Sequence, residues 1–166
     1  MEKLAAHDRL QPSLLERLAD NEPHKTKETR EDQVQTLNQL KEVVIRDLSW
    51  LLNCNNIQCA IDLSEFPEIQ TCVLNYGVPG FAGSSLSTTD LSKMEGSIHD
   101  AIVAFEPRII GKTVTVSASL GKSMLFGRKT VSIEIGGKIW AQPYSLEFLL
   151  QSELDLDTGA VVSVSN

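Results

Sequence analysis

Two triplets, Gly111-Lys112-Thr113 and Gly121-Lys122-Ser123, hold the residue types that close a phosphate-binding loop, where backbone N–H groups and a lysine cradle a nucleotide. That chemistry also needs a glycine five residues ahead of each triplet and a helix behind it. The positions ahead hold Glu106 and Val116, and neither triplet opens a helical pattern. Both read as turns at strand ends. Asp157-Thr158-Gly159 carries the residues of an aspartic-protease signature, whose mechanism needs two carboxylates sharing a proton. A retroviral-type protease needs most of its domain after that motif, whereas seven residues follow Gly159, so the triplet reads as a hairpin turn in which glycine supplies a positive φ. Cys54, Cys59 and Cys72 have no Cys-x-x-Cys or His-x-x-x-His companions and are expected as buried free thiols. His7, His24 and His99 lack a nucleophile context and read as solvated. No catalytic residue, metal site or cofactor is expected.

One cluster resists a bland reading. Phe105-Glu106-Pro107-Arg108-Ile109-Ile110 sets an acid at the C-terminal end of a helix, where the macrodipole disfavours it, then a proline and a guanidinium within an apolar run. Such charges need partners. One reading is internal: Glu106 with Arg108, or either with Arg46 or Asp47 on another helix. The other is that Glu106 or Arg108 reaches a second protein, since arginine suits bidentate pairing in an interface. Pro107 fixes the direction in which both charges leave the helix, and that favours the interface.

The elements that position this cluster follow from periodicity. Ser13 to Ala19 forms a short amphipathic helix, with Ser13 and Glu16 as a capping box and Leu14, Leu15 and Leu18 as one stripe. Residues 21–32 have no apolar side chain and read as a solvated linker. From Glu31 to Leu52, Val34, Leu37, Leu40, Val44, Leu48 and Leu51 step by three or four, which predicts a helix ending at Asn53, with Glu42 and Arg46 paired on its surface. Prolines and glycines between Ile57 and Ser87 predict short turns. A second long helix starts after Ser87, carries Leu91, Met94, Ile98, Ile102 and Phe105 inward, and stops at Pro107. Beyond Gly111 the period drops to two through Val114–Ala118 and Val131–Ile135, followed by strands over Tyr144–Leu154 and Ala160–Val164. The predicted fold is α+β in a single domain: N-terminal helices, then an antiparallel meander of about four strands. Residues 1–32 form the helix and linker, and residues 33–166 the domain.

With 166 residues, 42% hydrophobic and 22% charged, the chain can bury a full core. The formal charge is -7, concentrated between Leu48 and Gly111, the wrong sign for nucleic acid. Aromatics at 5% leave little for a base- or sugar-stacking platform. No run of about 18 apolar residues occurs, so no membrane insertion is expected and the chain is expected to be cytoplasmic.

Several stretches in register, Ser13-Leu14-Leu15-Glu16-Arg17-Leu18, Ile45 to Asn53, Val73-Leu74-Asn75-Tyr76-Gly77-Val78-Pro79, Phe105-Glu106-Pro107-Arg108 and Glu153 to Gly159, resemble the TssE family of type VI secretion baseplate proteins. The resemblance implies a cytoplasmic wedge component of a contractile injection machine, at the inner membrane's cytoplasmic side, related to a phage-tail baseplate protein once called lysozyme-like. It implies contacts with TssF, TssG and TssK and with the sheath of TssB and TssC. It further implies that Glu106, Pro107 and Arg108 dock the wedge core, and that an edge strand near Val162 accepts sheath strands. A small anti-adaptor that blocks delivery of a stress sigma factor to proteolysis shares the fold and a similar Glu-Pro-Arg stretch. Phe105 before the motif, the Ser13–Leu18 opening and the Asp-Thr-Gly hairpin favour the baseplate. A peptidoglycan hydrolase rests on the historical name alone.

Overall fold

A computed structural model describes residues 13–18, 24, 36–83, 88–120, 130–141 and 144–164. Among these residues three α-helices come first: α1 (Leu14–Leu18), α2 (Leu37–Leu52) and α3 (Thr88–Phe105). Four strands follow, β1 (Thr115–Leu120), β2 (Thr130–Ile139), β3 (Leu146–Asp155) and β4 (Val161–Val164), in the order β1-β2-β3-β4 with every neighbour antiparallel. This is the expected α+β meander. Among the described residues no helix is long and apolar enough to cross a membrane.

α2 starts later than its stepping pattern suggests. Thr36 Oγ1 accepts from the Gln39 N–H at 3.2 Å while Gln39 Oε1 accepts from the Thr36 N–H at 2.8 Å, a reciprocal cap that fixes the start at Leu37. Val34 lies outside the described residues. Leu40, Val44, Leu48, Leu51 and Leu52 form the buried stripe of α2; Met94, Ile98, Ala101 and Ile102 form that of α3. The two helices lie on one face of the sheet, where Val131, Ile133, Ile135, Ile139, Phe148, Leu150 and Leu154 meet them.

β2 runs to Ile139, past the end of its apolar alternation. Gly137 gives up its side-chain space to the Phe148 ring, which a Cβ there would approach at 3.1 Å, so the strand continues through residues that carry no apolar signal. Gly111–Thr113 is a single 3₁₀ turn ahead of β1, pinned by Thr113 Oγ1 donating to the Ile110 carbonyl at 2.7 Å. Gly121-Lys122-Ser123 lies outside the described residues. Asp157-Thr158-Gly159 forms the β3–β4 turn, with Gly159 at φ +75.

Three 3₁₀ turns, Ile57–Cys59, Pro67–Thr71 and Val73–Asn75, occupy the proline- and glycine-rich stretch. Buried Asn75 holds them together: its Oδ1 accepts from the Gln58 N–H and its Nδ2 donates to the Gln70 carbonyl. The cysteines are not buried as expected. Cys54 and Cys59 are exposed and Cys72 half-buried, because all three fall in this outer layer of turns rather than on a core stripe. Cys59 instead serves as a polar joint, its Sγ donating to Asn56 Oδ1 and accepting from the Gly80 N–H.

The turns rejoin α2 through a close backbone approach at Gly77. Val78 N–H donates to the Cys54 carbonyl at 2.9 Å and Asn56 N–H to the Val78 carbonyl at 3.1 Å. Gly77 sits at φ +123, and a Cβ there would lie 2.3 Å from the Cys54 carbonyl oxygen. Gly77→Ala must therefore move backbone as well as adopt a strained φ. It should cost about 2–4 kcal/mol, read as a lower denaturant midpoint at an unchanged m-value.

Candidate functional site

Glu106 and Arg108 are placed by both layers of the fold. The Glu106 N–H makes the last helical bond of α3, to the Ile102 carbonyl at 2.9 Å, and Pro107 ends the helix. The chain then pairs with the end of β2: Trp140 N–H donates to the Arg108 carbonyl at 2.7 Å and Ile110 N–H to the Lys138 carbonyl at 2.8 Å. Two residues thus lead from a helix to a sheet, and both charged side chains leave at that bend.

The charges find each other. Arg108 grips Glu106 with both Nε (2.7 Å) and Nη2 (2.6 Å), a planar two-point contact, and Nη2 also reaches Asp47 on α2. Asp47 in turn accepts from Arg46 Nε at 3.0 Å and Nη2 at 2.8 Å, and Arg46 Nη2 donates to Glu16 of α1 at 2.6 Å. Three carboxylates and two guanidiniums form one chain across α1, α2 and the α3–β2 bend. Glu106 is 5% exposed. Hydrogen bonds to Glu106 and then to Asp47 push the Arg108 pKa far above its ordinary value, so it stays charged at every working pH. Arg46 is held up likewise, by Glu16 first and Asp47 next. The expected Glu42–Arg46 pair gives way to these partners.

An open groove of about 470 Å³ runs beside this network. Leu48, Trp50 and Leu51 of α2, Tyr76, Phe105 and Pro107 line it, with Asp47, Glu106 and Arg108 at its polar side and Ser13 and the α1 residue Leu15 along it. Tyr76 meets Phe105 edge-on at 5.4 Å, and burial raises its phenol pKa. Arg46 lies over Trp50, 4.7 Å from the ring centroid. α1 is turned inside out relative to its expected stripe: Glu16 faces the body, while Leu14 and Leu18 are 71% and 75% exposed. Glu16 Oε2 also takes the Ser13 N–H and hydroxyl, so one carboxylate serves as cap and as tether.

The sheet edges form a second surface. On β1 the Ala118 N–H points away from β2 and donates to Glu95 Oε1 of α3 at 2.7 Å. On β4 the Asp155–Ala160 bond fixes which pairs exchange hydrogen bonds, and by alternation the Val162 backbone faces Glu153. Val162 has a side chain 63% exposed, but its N–H is internal to the sheet. The outward groups on β4 belong to Val161 and Ser163.

Residues 38–144 match the family model for the baseplate wedge protein gp25, most of the chain and all of α3, β1 and β2. The chain belongs to the baseplate wedge protein gp25 family. A solved structure described as the baseplate complex from the type VI secretion system contains a chain of the same fold, with a TM-score of 0.50 at 16% identity over 72% of this chain and 95% of that one. Among curated proteins nothing matches. The family match agrees with the resemblance drawn from the sequence motifs.

In this gp25-family chain the structure brings Glu106, Pro107 and Arg108 into one site and leaves Val162 out of it. Sequence reasoning named Arg46 and Asp47 as partners for these charges but missed Glu16, Trp50 and Tyr76. Glu16 carried a signal already assigned to helix capping, and nothing in spacing links Tyr76 to Phe105. Among the described residues no group of three His, Cys, Asp or Glu side chains is arranged to hold a metal ion. The arrangement is a charged rim, fixed by its own ion pairs, beside a largely apolar groove.

Because Arg108 is 26% exposed and Glu106 buried, this pair is more than a surface salt bridge. Arg108→Ala strands a buried carboxylate and should cost about 2–4 kcal/mol of stability. Arg108→Lys keeps the charge but not the two-point contact, and should recover less than half of that in thermal or urea melts.

Proposed function

We propose that this protein is a structural component of a type VI secretion baseplate, without enzymatic activity, that links the wedge to the contractile sheath and helps start sheath assembly. The family match over residues 38–144 carries the reading, and the type VI baseplate title of the structural neighbour supports it. In this reading Glu106, Pro107 and Arg108, with the groove beside them, dock the wedge proteins TssF, TssG and TssK. The β4 edge around Val162 receives strands from the TssB–TssC sheath. The site is cytoplasmic, at the inner membrane, and involves neither nucleic acid nor a cofactor.

Internal pairing of Arg108 does not compete with this reading. Arg108 Nη1 makes no hydrogen bond among the described residues, and Pro107 is exposed, so the ion pair preorganises a guanidinium and a ring that still face outward. A partner meets a fixed surface rather than a flexible one.

Co-purification of the wedge proteins with the full chain tests the docking reading. Pro107→Ala should lower their apparent affinity by about tenfold, the loss of one interface anchor, with a melting temperature near that of the wild type. Deleting the protein should abolish sheath assembly, and the purified chain should not turn over peptidoglycan. Normal sheaths in the deletion strain, or peptidoglycan turnover lost on replacing one carboxylate, would overturn the reading.

A further inference from the structure

The closing side chain on β4 is Asn53, the C-cap of α2. Its Oδ1 accepts from the Val161 N–H at 3.0 Å and its Nδ2 donates to the Val161 carbonyl at 2.9 Å. Its second Nδ2 hydrogen goes to the Ser49 carbonyl at 2.8 Å, so the amide is held in one orientation and cannot flip without losing all three bonds. An amide that gives and takes one hydrogen bond at the same residue does what the N–H and C=O of one facing residue in an antiparallel fifth strand would do. Neighbouring strands lie about 4.8 Å apart. A side chain as short as asparagine therefore places the end of α2 in the slot of that strand.

We propose that Asn53 is the stop that fixes where, and in which register, an added strand pairs with β4. The inference rests on the strand-addition reading above and supplies what that reading lacks. β4 reads Val-Val-Ser-Val, a run too repetitive to define its own register, and a slip of one residue turns every side chain of the incoming strand to the other face. With Val161 closed, an added strand abuts Asn53 and takes Ser163 as its first outward partner. Among the described residues no bond occupies the outward backbone groups of Ser163. The opposite edge offers no equivalent opening, since Glu95 occupies the Ala118 donor on β1 and α3 lies along that strand. The occupant is an extended segment of a sheath subunit, recognised by its backbone.

Residue-resolved amide exchange on the full chain, alone and in a wedge supplied with sheath subunits, tests this. In the wild type Val161 should exchange slowly in both states, and Ser163 should become protected only when sheath is added. In Asn53→Ala the Val161 amide of the isolated chain should exchange about tenfold faster. Added sheath should then protect Val161 as well, with the yield of complete sheaths reduced by roughly half or more as wrong registers form. Asn53→Asp keeps an acceptor for the Val161 N–H while opposing its carbonyl, and should give intermediate exchange in a folded chain. Unchanged Val161 exchange in Asn53→Ala overturns the stop. So does faster exchange accompanied by wild-type sheath yield and an unprotected Val161 in the complex. Failure of sheath to protect Ser163 in the wild type overturns the strand-addition reading itself, whatever Val161 does. Ser163 protection that grows with concentration of the chain alone would identify a second copy as the occupant and also overturn the proposal.

Discussion

A carboxylate buried at the wrong end of a helix sets the terms for everything around it. Glu106 sits where the α3 carbonyls already concentrate negative charge, and it is 5% exposed, so water does little to compensate. Only a fixed cation makes that position tolerable, and Arg108 can supply it because the end of β2 holds the Arg108 backbone two residues away. Asp47 and Arg46 then extend the compensation to α2, and Glu16 carries it to α1. A helix, a strand end and a five-residue outlier are thereby set relative to one another by electrostatics, while the leucines and isoleucines beneath fix only the layers. Removing one member of such a network strands the buried charge of the other, whereas replacing both by apolar residues of similar volume is often neutral.

The layers themselves were legible in the sequence. The three-or-four stepping of α2 and α3 and the alternation of β1 and β2 are direct prints of which face is buried, and the structure follows them. Departures occur where another signal wins. The reciprocal Thr36–Gln39 cap overrides a stepping pattern that extends to Glu31. Two glycines interrupt the alternation of β2 without interrupting its hydrogen bonds. The cysteines, apolar in habit, fall among turns that have no core to enter.

The site was legible in kind but not in connectivity. Glu106 and Arg108 stand out because charges beside a helix end and within an apolar run demand partners, and Asp47 was among the partners foreseen. Glu16 was not, since a residue three positions after a serine already has a local explanation. Asn53 shows the same blind spot: its place at the end of α2 accounts for it, and its bonds to Val161, over a hundred residues away, leave no trace in local spacing.

The route from the Glu106–Arg108 bend to the outer strand is unbroken backbone hydrogen bonding. It passes from Arg108 and Ile110 to Trp140 and Lys138, across the β2–β3 ladder, and on to β4. A pull along the strands would load all bonds of a ladder at once, whereas a pull across them would open the bonds in turn. Among the described residues the β2–β3 ladder has ten paired positions and the β3–β4 ladder four, so a rising load would reach the outer strand's limit first. Asn53 ties that weakest member back to α2, giving the sheet a second anchorage at the place where it would otherwise begin to peel.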